Sequence, residues 1–147
     1  YFPHTLCEVY MSVKSFNVEY HEDDRAQRLF DVFPSLEGQI NISHVNSTEH
    51  VVAWHQHEVQ IDYWFCVKGS FKVGLAFPTD EGYRVKWEYL SDKFPKMLKI
   101  PAGVYHGYRA LEPNSIMLYY LNAKYDPNDV FFAKPGDFGE EWETEIK

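Results

Sequence analysis

Short stretches in which apolar and polar residues alternate recur along this chain, and such alternation is typical of β-strands. Between Tyr83 and Tyr89, for example, every second residue is apolar and the residues between them are charged, so this strand has one wet face. The pattern predicts strands at 29–33, 39–43, 51–57, 61–68, 71–77, 83–89, 97–100, 105–111 and 115–121, with an early edge strand within residues 1–20. Almost no amphipathic helical pattern accompanies them, so we expect an all-β fold, either a double-sheet jelly roll or a small barrel.

The residues between these stretches predict how the strands connect. Gly69 and Ser70 interrupt the apolar run that ends at Lys68, and we expect the next strand to return from there as a hairpin partner. Residues 21–27 are mostly charged and predict an irregular connection. Beyond residue 121 the chain contains several Asp, Pro and Gly residues, which predicts a loop-rich tail with a helical turn near its end.

Composition narrows the class of protein. A chain of 147 residues and 17.4 kDa is long enough for one domain with a core, and we expect a single domain over residues 1–147. Tyr and Phe, at 11 residues each, suit half-buried strands and the wall of a ligand pocket. A formal net charge of −8 repels polyanions, so nucleic-acid binding is disfavoured.

The same sequence predicts where the protein resides. Two cysteines make no disulfide framework, and Cys66 lies inside an apolar run as a core residue would. No stretch has the apolar length of a membrane span, and the start of the sequence, Tyr1-Phe2-Pro3-His4, lacks the form of a signal peptide. We therefore expect a cytoplasmic protein without a membrane partner.

Four residues with metal-binding or proton-transferring side chains form the candidate site. His55 and His57 are two residues apart, so in a strand both side chains point to the same face. Asp62 lies an odd number of positions from both and joins them only if the chain turns near residues 58–60. His106 follows a Pro-x-Gly turn. Three imidazoles and a carboxylate suit a borderline divalent ion such as zinc, iron, nickel or manganese.

The spacing of these residues resembles the two motifs of the cupin superfamily. The first motif is His-x-His, four residues, an acid, six residues and Gly, and the chain from His55 to Gly69 follows this order. The second is Pro-x-Gly-x-x-His, which Pro101 to His106 match. The resemblance implies a double-stranded β-helix, the cupin jelly roll, with the three histidines and Asp62 as the ligands where a divalent metal is bound.

A longer part of the chain, from about Asp23 to Asp137, resembles the sugar-nucleotide branch of the cupins, which includes dTDP-4-dehydrorhamnose 3,5-epimerase and the dTDP-4-keto-6-deoxyhexose 3,4-ketoisomerases. The segments that carry this resemblance are Asp24-Arg25 with 29–33, Trp54-His55, residues 66–72, residues 100–108 and residues 119–127. Residues 66–72 are similar to the ketoisomerases, and residues 100–108 are similar to the epimerases. The activity that the resemblance implies is proton transfer next to the keto group of a deoxysugar nucleotide.

The resemblance and the chemistry of proton transfer together suggest roles for individual side chains. The candidates are, as catalytic residues, His55 (base), His57 (second proton carrier) and Tyr119 (acid), and, as substrate-binding residues, Gln60, His106, Arg25, Arg109 and Trp54. The resemblance further implies that the substrate is a nucleotide sugar or another carbohydrate and that the reaction requires no cofactor. A homodimer is implied because strands in this branch often pair across two chains.

The chain also departs from both patterns, which keeps two other functions open. Val52-Ala53 stand where the epimerases carry an Arg before their active His, and Asp62 stands where they carry a Lys. No segment matches the one whose Asp holds the epimerases' base. Metal-binding cupins usually have Glu at the position of Asp62, and Ala110 replaces the Asn that often ends their second motif. The alternatives are a metal-dependent cupin enzyme and a carbohydrate-binding cupin without catalysis.

Overall fold

Eleven antiparallel strands in two facing sheets make up the part of the chain that the structure, a computed structural model, describes, namely residue 17, residues 19–33 and residues 36–143. The strands are β1 (Glu19–Glu22), β2 (Gln27–Phe30), β3 (Gln39–Val45), β4 (Val51–Gln56), β5 (Asp62–Lys68), β6 (Ser70–Thr79), β7 (Gly82–Ser91), β8 (Met97–Ile100), β9 (Tyr105–Ala110), β10 (Ser115–Leu121) and β11 (Phe131–Phe132). One sheet has the order β1-β2-β3-β10-β5-β8, and the other has the order β11-β4-β9-β6-β7. Apolar side chains from both sheets form a shared core, so the all-β jelly roll expected from the sequence is confirmed.

Most of the predicted strands are present near the predicted positions. β8 and β10 have the predicted bounds, and β6 and β7 extend up to two residues beyond each predicted end. Burial alternates along the whole of β3, which is the physical basis of the pattern that predicted it. β2 ends early, at Phe30, because Asp31 has a φ of 47°, which an extended strand does not allow.

The predicted hairpin between the strands on either side of Gly69 is wrong. β5 pairs with β10 and β8, whereas β6 pairs with β7 and β9 in the other sheet. Gly69 has a φ of 80°, and a Cβ at this position would overlap the side chain of Ser115. The chain therefore crosses from one sheet to the other here, and only glycine fits the crossing.

Two regions that were predicted to be irregular contain short strands. β1 overlaps the end of the expected early edge strand and the start of the charged connection expected at residues 21–27, and it pairs with β2. Asp23 forms the turn between them, because its carboxylate accepts the backbone N–H groups of Arg25 and Ala26. β11 lies in the tail and pairs with β4, and no helical turn occurs in residues 122–143. Most of the predicted early edge strand lies outside the described residues.

The described part of the chain contains no helix with the length and hydrophobicity of a membrane span. The single domain over residues 1–147 and the cytoplasmic location stay predictions of the sequence.

A smaller apolar cluster lies on the outer side of the five-stranded sheet, under the tail. Trp54 of β4 is fully buried there against Phe138 and Trp142, with ring centroids 5.1 and 5.0 Å away. Lys72 of β6 donates to two backbone carbonyls of the same tail segment. Truncating a buried tryptophan costs about 3–5 kcal/mol, so this cluster anchors the tail to the sheet.

An apolar row crosses the outer face of the six-stranded sheet over its whole width. One row of neighbouring residues, one from each strand, crosses this face and consists of Tyr20, Leu29, Ile42, Leu118, Phe65 and Met97. The two end residues of this outer row, Tyr20 and Met97, are 56% and 54% exposed, and the four between them are half-buried. Monomeric proteins rarely leave a contiguous apolar surface of this kind open to water.

Candidate active site

A β-bulge in β4 turns His55 toward the space between the sheets. The pairing of β4 with β9 matches Val52 with Tyr108 and His55 with His106, so three steps along β4 correspond to two along β9. The extra residue reverses the side-chain alternation, so Val52 and His55 both face inward while Trp54 faces outward. As a result the imidazole rings of His55 and His106 lie with their centroids 4.2 Å apart.

Gly107 lets the two backbones approach closely at this bulge. A Cβ on Gly107 would lie 2.6 Å from the carbonyl oxygen of Val52 and 3.3 Å from the Cα of Ala53. These are backbone atoms in paired strands and cannot move aside cheaply. The glycine that follows His106 in the second motif therefore serves backbone packing beside the site.

The turn after β4 brings His57 and Asp62 to the same place, as predicted, because β4 ends at Gln56 and β5 begins at Asp62. Asp129 in the tail holds this turn. Its carboxylate accepts the backbone N–H groups of residues 58–60 at 2.8 to 3.3 Å, and its backbone carbonyl accepts from His57 Nδ1 at 2.6 Å. Burial opposes the charge on this carboxylate, but the three N–H groups hold the pKa of Asp129 below its usual range.

Asp62 is 3% exposed and surrounded by polar partners. Its two oxygens accept hydrogen bonds from Gln60 Nε2 at 2.7 Å and Trp64 Nε1 at 3.1 Å. They also lie 3.8 Å from His57 Nε2 and 3.4 Å from His106 Nε2. Burial raises the pKa of the Asp62 carboxyl, but the nearby His106 and the Gln60 amide outweigh it, so the pKa is lowered and Asp62 is ionised at neutral pH.

Hydrogen bonds of the three histidines determine which ring nitrogen faces the cluster. Each Nδ1 lies within hydrogen-bond distance of a backbone carbonyl, which can only accept, so we assign the ring proton to Nδ1. The pairs are His55 with Ala53 at 3.2 Å, His57 with Asp129 at 2.6 Å and His106 with Val104 at 2.9 Å. A ring that carries only this proton presents an unprotonated Nε2 to the cluster. His106 Nε2 is buried and has no hydrogen-bond partner among the described residues.

His55 is uncharged at neutral pH. Burial, and then repulsion from a charge on His106, lowers the pKa of His55 to about 3, although the Ala53 carbonyl and Asp62 act in the opposite direction. A neutral imidazole with a free lone pair can accept a proton or bind a metal ion. The chemistry of the cluster therefore begins with neutral His55 beside ionised Asp62.

The cluster also fits a divalent metal ion. The candidate ligand atoms of His55, His57, Asp62 and His106 all lie within 4.8 Å of one another. A zinc ion with bonds of about 2.0–2.1 Å holds tetrahedral ligand atoms about 3.4 Å apart, so small side-chain movements would close the site. Hydrogen bonds from Nδ1 to carbonyl groups are the kind that orient histidine ligands. The four predicted ligands are therefore together and suitably oriented.

Two adjoining cavities flank the cluster, and His55, Asp62 and Tyr119 line both of them. The outer cavity has a volume of about 220 Å³ and is also lined by His57 and Gln60. It shares residues with a wider surface cleft of about 610 Å³. The inner cavity has a volume of about 110 Å³ and is bounded further by Arg28, Val52, Trp64 and Tyr108. A ligand can enter from the outer side, and the inner cavity has room for a few atoms.

Tyr119 and Gln60 lie at the cluster, where the sequence placed them. The Tyr119 hydroxyl is 3.1 Å from Ser43 Oγ, and its ring lines both cavities. Burial, followed by the neighbouring Tyr108, raises the pKa of Tyr119, so its hydroxyl keeps its proton at neutral pH. Gln60 Nε2 lies 3.2 Å from His57 Nε2 as well as bonding to Asp62.

Of the five predicted substrate-binding residues only Gln60 lines a cavity; His106 is 1% exposed and lines neither, although it belongs to the cluster. The other three lie away from the cavities. Trp54 points to the outer side of the sheet because the bulge reverses the alternation at that position. Arg109 donates to the backbone carbonyl of Thr48 and pairs with Glu143 in the tail. Arg25 pairs with Asp23 at the β1–β2 turn and lines neither cavity. The structure does not support contacts of these three side chains with a ligand at the histidine cluster.

Three residues of the site were not predicted from the sequence, namely Arg28, Tyr108 and Asp129. No sequence motif points to Arg28, because it reaches the site only through the pairing of β2 with β3. Asp129 lies in an Asp-Pro-Asn-Asp stretch that looks like an ordinary turn. Tyr108 belongs to the second motif, two residues after His106, so alternation could have placed it on the same face.

Two relatives of known name match this chain over different lengths. It is 33% identical over 148 residues to the spore coat polysaccharide biosynthesis protein SpsL of Bacillus subtilis, which covers 92% of this chain and 97% of SpsL. It is 31% identical over 86 residues to dTDP-4-dehydrorhamnose 3,5-epimerase of Mycolicibacterium smegmatis, which covers 56% of this chain and 43% of that enzyme. The chain thus spans nearly all of SpsL and less than half of the epimerase.

Solved structures share the fold at low sequence identity. CapF has a TM-score of 0.69 with 19% identity, over 80% of this chain and 35% of CapF. The dTDP-4-dehydrorhamnose 3,5-epimerase from Bacillus anthracis has a TM-score of 0.66 with 16% identity, over 88% of this chain and 83% of that enzyme. No family model matches the sequence. The identity along nearly all of SpsL shows that this chain belongs to the family of that protein, and its fold is the cupin jelly roll that the solved epimerase also has.

Proposed function

We propose that this protein is an isomerase or epimerase that moves a proton next to the keto group of a deoxysugar nucleotide. One observation carries the proposal: the imidazoles of His55 and His57, the Asp62 carboxylate and the protonated Tyr119 converge on adjoining cavities, and the buried His106 belongs to the same cluster. Proton transfer beside a keto group needs a base and a proton donor at the reacting carbons. The names of the relatives, an epimerase and a polysaccharide biosynthesis protein, support this substrate class.

In this reaction His55 is the base, His57 is the second proton carrier and Tyr119 is the acid. A pKa of about 3 makes His55 a weak base, but its protonated form is a strong acid that readily returns the proton to a neighbouring carbon. Asp62 lies 3.8 Å from His57 and stabilises that ring when it carries the proton. The amide of Gln60 orients the sugar, and His106, which lines neither cavity, positions Asp62 and His55.

Solvent-deuterium exchange tests the proposal directly. The wild-type protein should incorporate deuterium from D₂O into dTDP-4-keto-6-deoxyglucose, and His55→Gln should slow this exchange by about 10²–10⁴-fold. His50→Gln is the matched control, because His50 lies in the loop between β3 and β4, outside the cluster. If a panel of keto-deoxysugar nucleotides shows no exchange while calorimetry detects dTDP binding, the protein is a carbohydrate-binding cupin without catalysis.

A second candidate, a metal-dependent enzyme of the same class, is favoured by the buried Nε2 of His106, which has no partner among the described residues. The three histidines and Asp62 would hold the ion, and a bound divalent ion supplies a Lewis acid that stabilises charge on the keto oxygen. Metal analysis of the purified protein decides between the candidates. A near-stoichiometric divalent ion that is lost together with activity in His57→Ala contradicts the metal-free reaction. Activity in metal-free protein contradicts the metal-dependent one.

We also propose that the protein is a homodimer that forms through the outer row. The support is the apolar character of that row, which continues across all six strands. A two-fold axis would place the same surface of each subunit against its copy, which is the commonest form of soluble oligomer. The two catalytic cavities lie on the inner side of the same sheet and stay open in such a dimer.

A further inference from the structure

Arg28 carries a guanidinium group into the space between the two sheets. It lies on β2 opposite Ser43 of β3, and both residues face inward. Its side chain is only 10% exposed and lines the inner cavity together with His55. Arginine is almost never buried to this degree without an anion beside it. The charge around Arg28 therefore indicates what the cavity can accept.

The acid that pairs with Arg28 is shared with a second arginine. Asp23 Oδ2 accepts from Arg28 Nη1 at 3.1 Å and from Arg25 Nη2 at 2.8 Å. Asp23 accepts from one nitrogen of the Arg28 guanidinium, which has further N–H donors, and Arg25 itself lines neither cavity. Asp62, at the opposite end, is engaged by the Gln60 amide and the histidines. The Arg28 end can therefore accept a further anionic group.

Two tyrosine hydroxyls complete the Arg28 end of the cavity. The Tyr119 hydroxyl is 3.1 Å from Ser43, and the Tyr108 hydroxyl interacts with both Ser43 and Arg28. Burial raises the pKa of both tyrosines, so at neutral pH their hydroxyls are protonated and can donate hydrogen bonds. The cavity volume of about 110 Å³ equals roughly three to four water molecules. That space suits a carboxylate or one edge of a sugar.

We propose that the inner cavity is a subsite for a negatively charged oxygen group on the sugar ring, held by Arg28 with Tyr108 and Tyr119. The identity of the ligand as a sugar rests on the proposed function. Because His55 lines the same cavity, the charged oxygen lies beside the carbon from which a proton is moved. Arg28 is thus a specificity-determining residue that the cupin motifs do not contain.

Two sources can supply this oxygen. One is a carboxylate that the sugar carries permanently. The other is the enolate that forms during the reaction: His55 takes the proton, the C–H electron pair forms the C=C bond, and the C=O π pair moves to the oxygen. Return of the proton to the same carbon restores the keto group. If the proton is delivered to the former carbonyl carbon, the hydroxyl on the neighbouring carbon gives up its proton and becomes the new keto group while the enolate oxygen takes up a proton, so no oxidant or further reactant is needed. Both sources present a negatively charged oxygen to Arg28.

Acetate is a probe of the subsite that needs no sugar. Trp64 lines the cavity, so its indole N–H resonance should shift in a saturable way when sodium acetate replaces sodium chloride at constant ionic strength. Arg28→Gln should weaken acetate binding by about tenfold or more, because a charge-assisted pair of hydrogen bonds is lost. Arg84→Gln removes an exposed arginine from β7 and should leave acetate binding unchanged. If acetate binds Arg28→Gln as tightly as the wild type, or does not bind the wild type, the subsite does not exist.

Arg28→Lys separates recognition from folding. Lysine keeps the charge but loses the planar pair of donors, so acetate binding should weaken less than in Arg28→Gln. If Arg28→Gln does not fold, the acetate affinity of Arg28→Lys is compared with that of Arg84→Lys. Equal affinities of these two variants for acetate would overturn the proposal.

Sugar nucleotides then distinguish the two sources. If the sugar carries a carboxylate, the wild type should bind dTDP-glucuronate about tenfold more tightly than dTDP-glucose, and Arg28→Gln should lose this preference. If the oxygen is the enolate, there is no preference, but Arg28→Gln should slow deuterium exchange by about 100-fold with little change in KM. If Arg28→Gln shows neither a lost preference for the carboxylate sugar nor a slower exchange, the proposal is overturned. An intact acetate site without any exchange or nucleotide binding in the wild type would instead contradict the proposed function.

Discussion

At the scale of single residues, the site depends on how each buried polar group is satisfied. Burying the Asp62 carboxylate without partners would be costly, and the N–H donors of Gln60 and Trp64 offset that cost. Backbone carbonyls take the Nδ1 protons of the three histidines. The Nε2 atoms of His57 and His106 therefore face one carboxylate. Such a group of acceptors needs a proton or a metal ion between its members to be stable.

Replacing Tyr119 by Phe tests the proposed acid with a minimal change. Tyr119→Phe removes only the hydroxyl, so we expect the protein to fold while deuterium exchange into the keto-sugar slows by about 10²-fold or more. Tyr120→Phe is the matched control, since Tyr120 faces the outer side of the same strand. Both rates are measured at the same pH by NMR. Equal rates in the two variants would remove Tyr119 from the mechanism.

Cys66 gives a prediction for reactivity and pH. Burial, followed by the charge of Asp92, raises the pKa of the Cys66 thiol from 9.0 to about 11. At pH 8 the thiolate fraction is therefore about 100-fold lower than in the unfolded chain. In a Cys7→Ser background, iodoacetamide should modify the native protein at least that much more slowly than the urea-unfolded protein. Because the folded pKa is raised, this thiol contributes stability below pH 9 that is lost as the pH rises from 9 to 11.

At the scale of elements, alternation predicted the strands well because it reflects local burial. Burial alternates along all of β3 and along most of β10, with one face of each strand in the core and the other half-buried. Strand pairing could not be predicted in the same way, since the partners of β5 lie far along the chain. The Gly69 crossing has the same Gly-Ser signature as a hairpin. Only the steric contact that a Cβ at position 69 would make with Ser115 distinguishes the sheet crossing from a hairpin.

Asp129 connects the tail to the catalytic turn, and its removal should weaken both. Asp129→Ala loses the acceptor of three backbone N–H groups and should lower the free energy of unfolding by about 1–2 kcal/mol. It should also speed amide exchange in residues 58–60. Asp126→Ala is the matched control, because Asp126 bonds only locally to Asn128. Both variants are compared with the wild type by urea unfolding and hydrogen exchange.

The pH dependence of the same variant follows from the lowered pKa of Asp129. A carboxyl whose folded pKa is lowered contributes stability above its unfolded pKa of about 3.9 and loses that contribution as the pH falls. The difference between the wild type and Asp129→Ala should therefore be complete at pH 7 and shrink below about pH 4. A difference that is the same at pH 3 and pH 7 would show that the carboxylate does not hold the turn.

At the scale of the whole molecule, the sequence predicted the ligands of the site better than its walls. The three histidines and Asp62 were found because their spacing is a local property of two motifs. Arg28 comes from an early strand that enters the site only through its pairing with β3. Trp54 was placed wrongly because a bulge cannot be seen in an alternating pattern. Side chains brought in by distant strands thus require the topology.

The outer row gives the last prediction, which concerns the assembly. If two copies pack through this face, the wild type should elute with a light-scattering mass of twice 17.4 kDa. Leu118→Glu places a charge in the middle of the row, where burial against a second copy would be strongly unfavourable, so the mass should fall to that of one chain. Lys86→Glu, on the exposed surface of β7, is the matched control and should stay dimeric. Because Leu118 points away from the cavities and Tyr119 points into them, a monomeric variant that still exchanges deuterium would show that each subunit carries a complete site. A wild type that is monomeric at all concentrations would contradict a homodimer formed through the outer row.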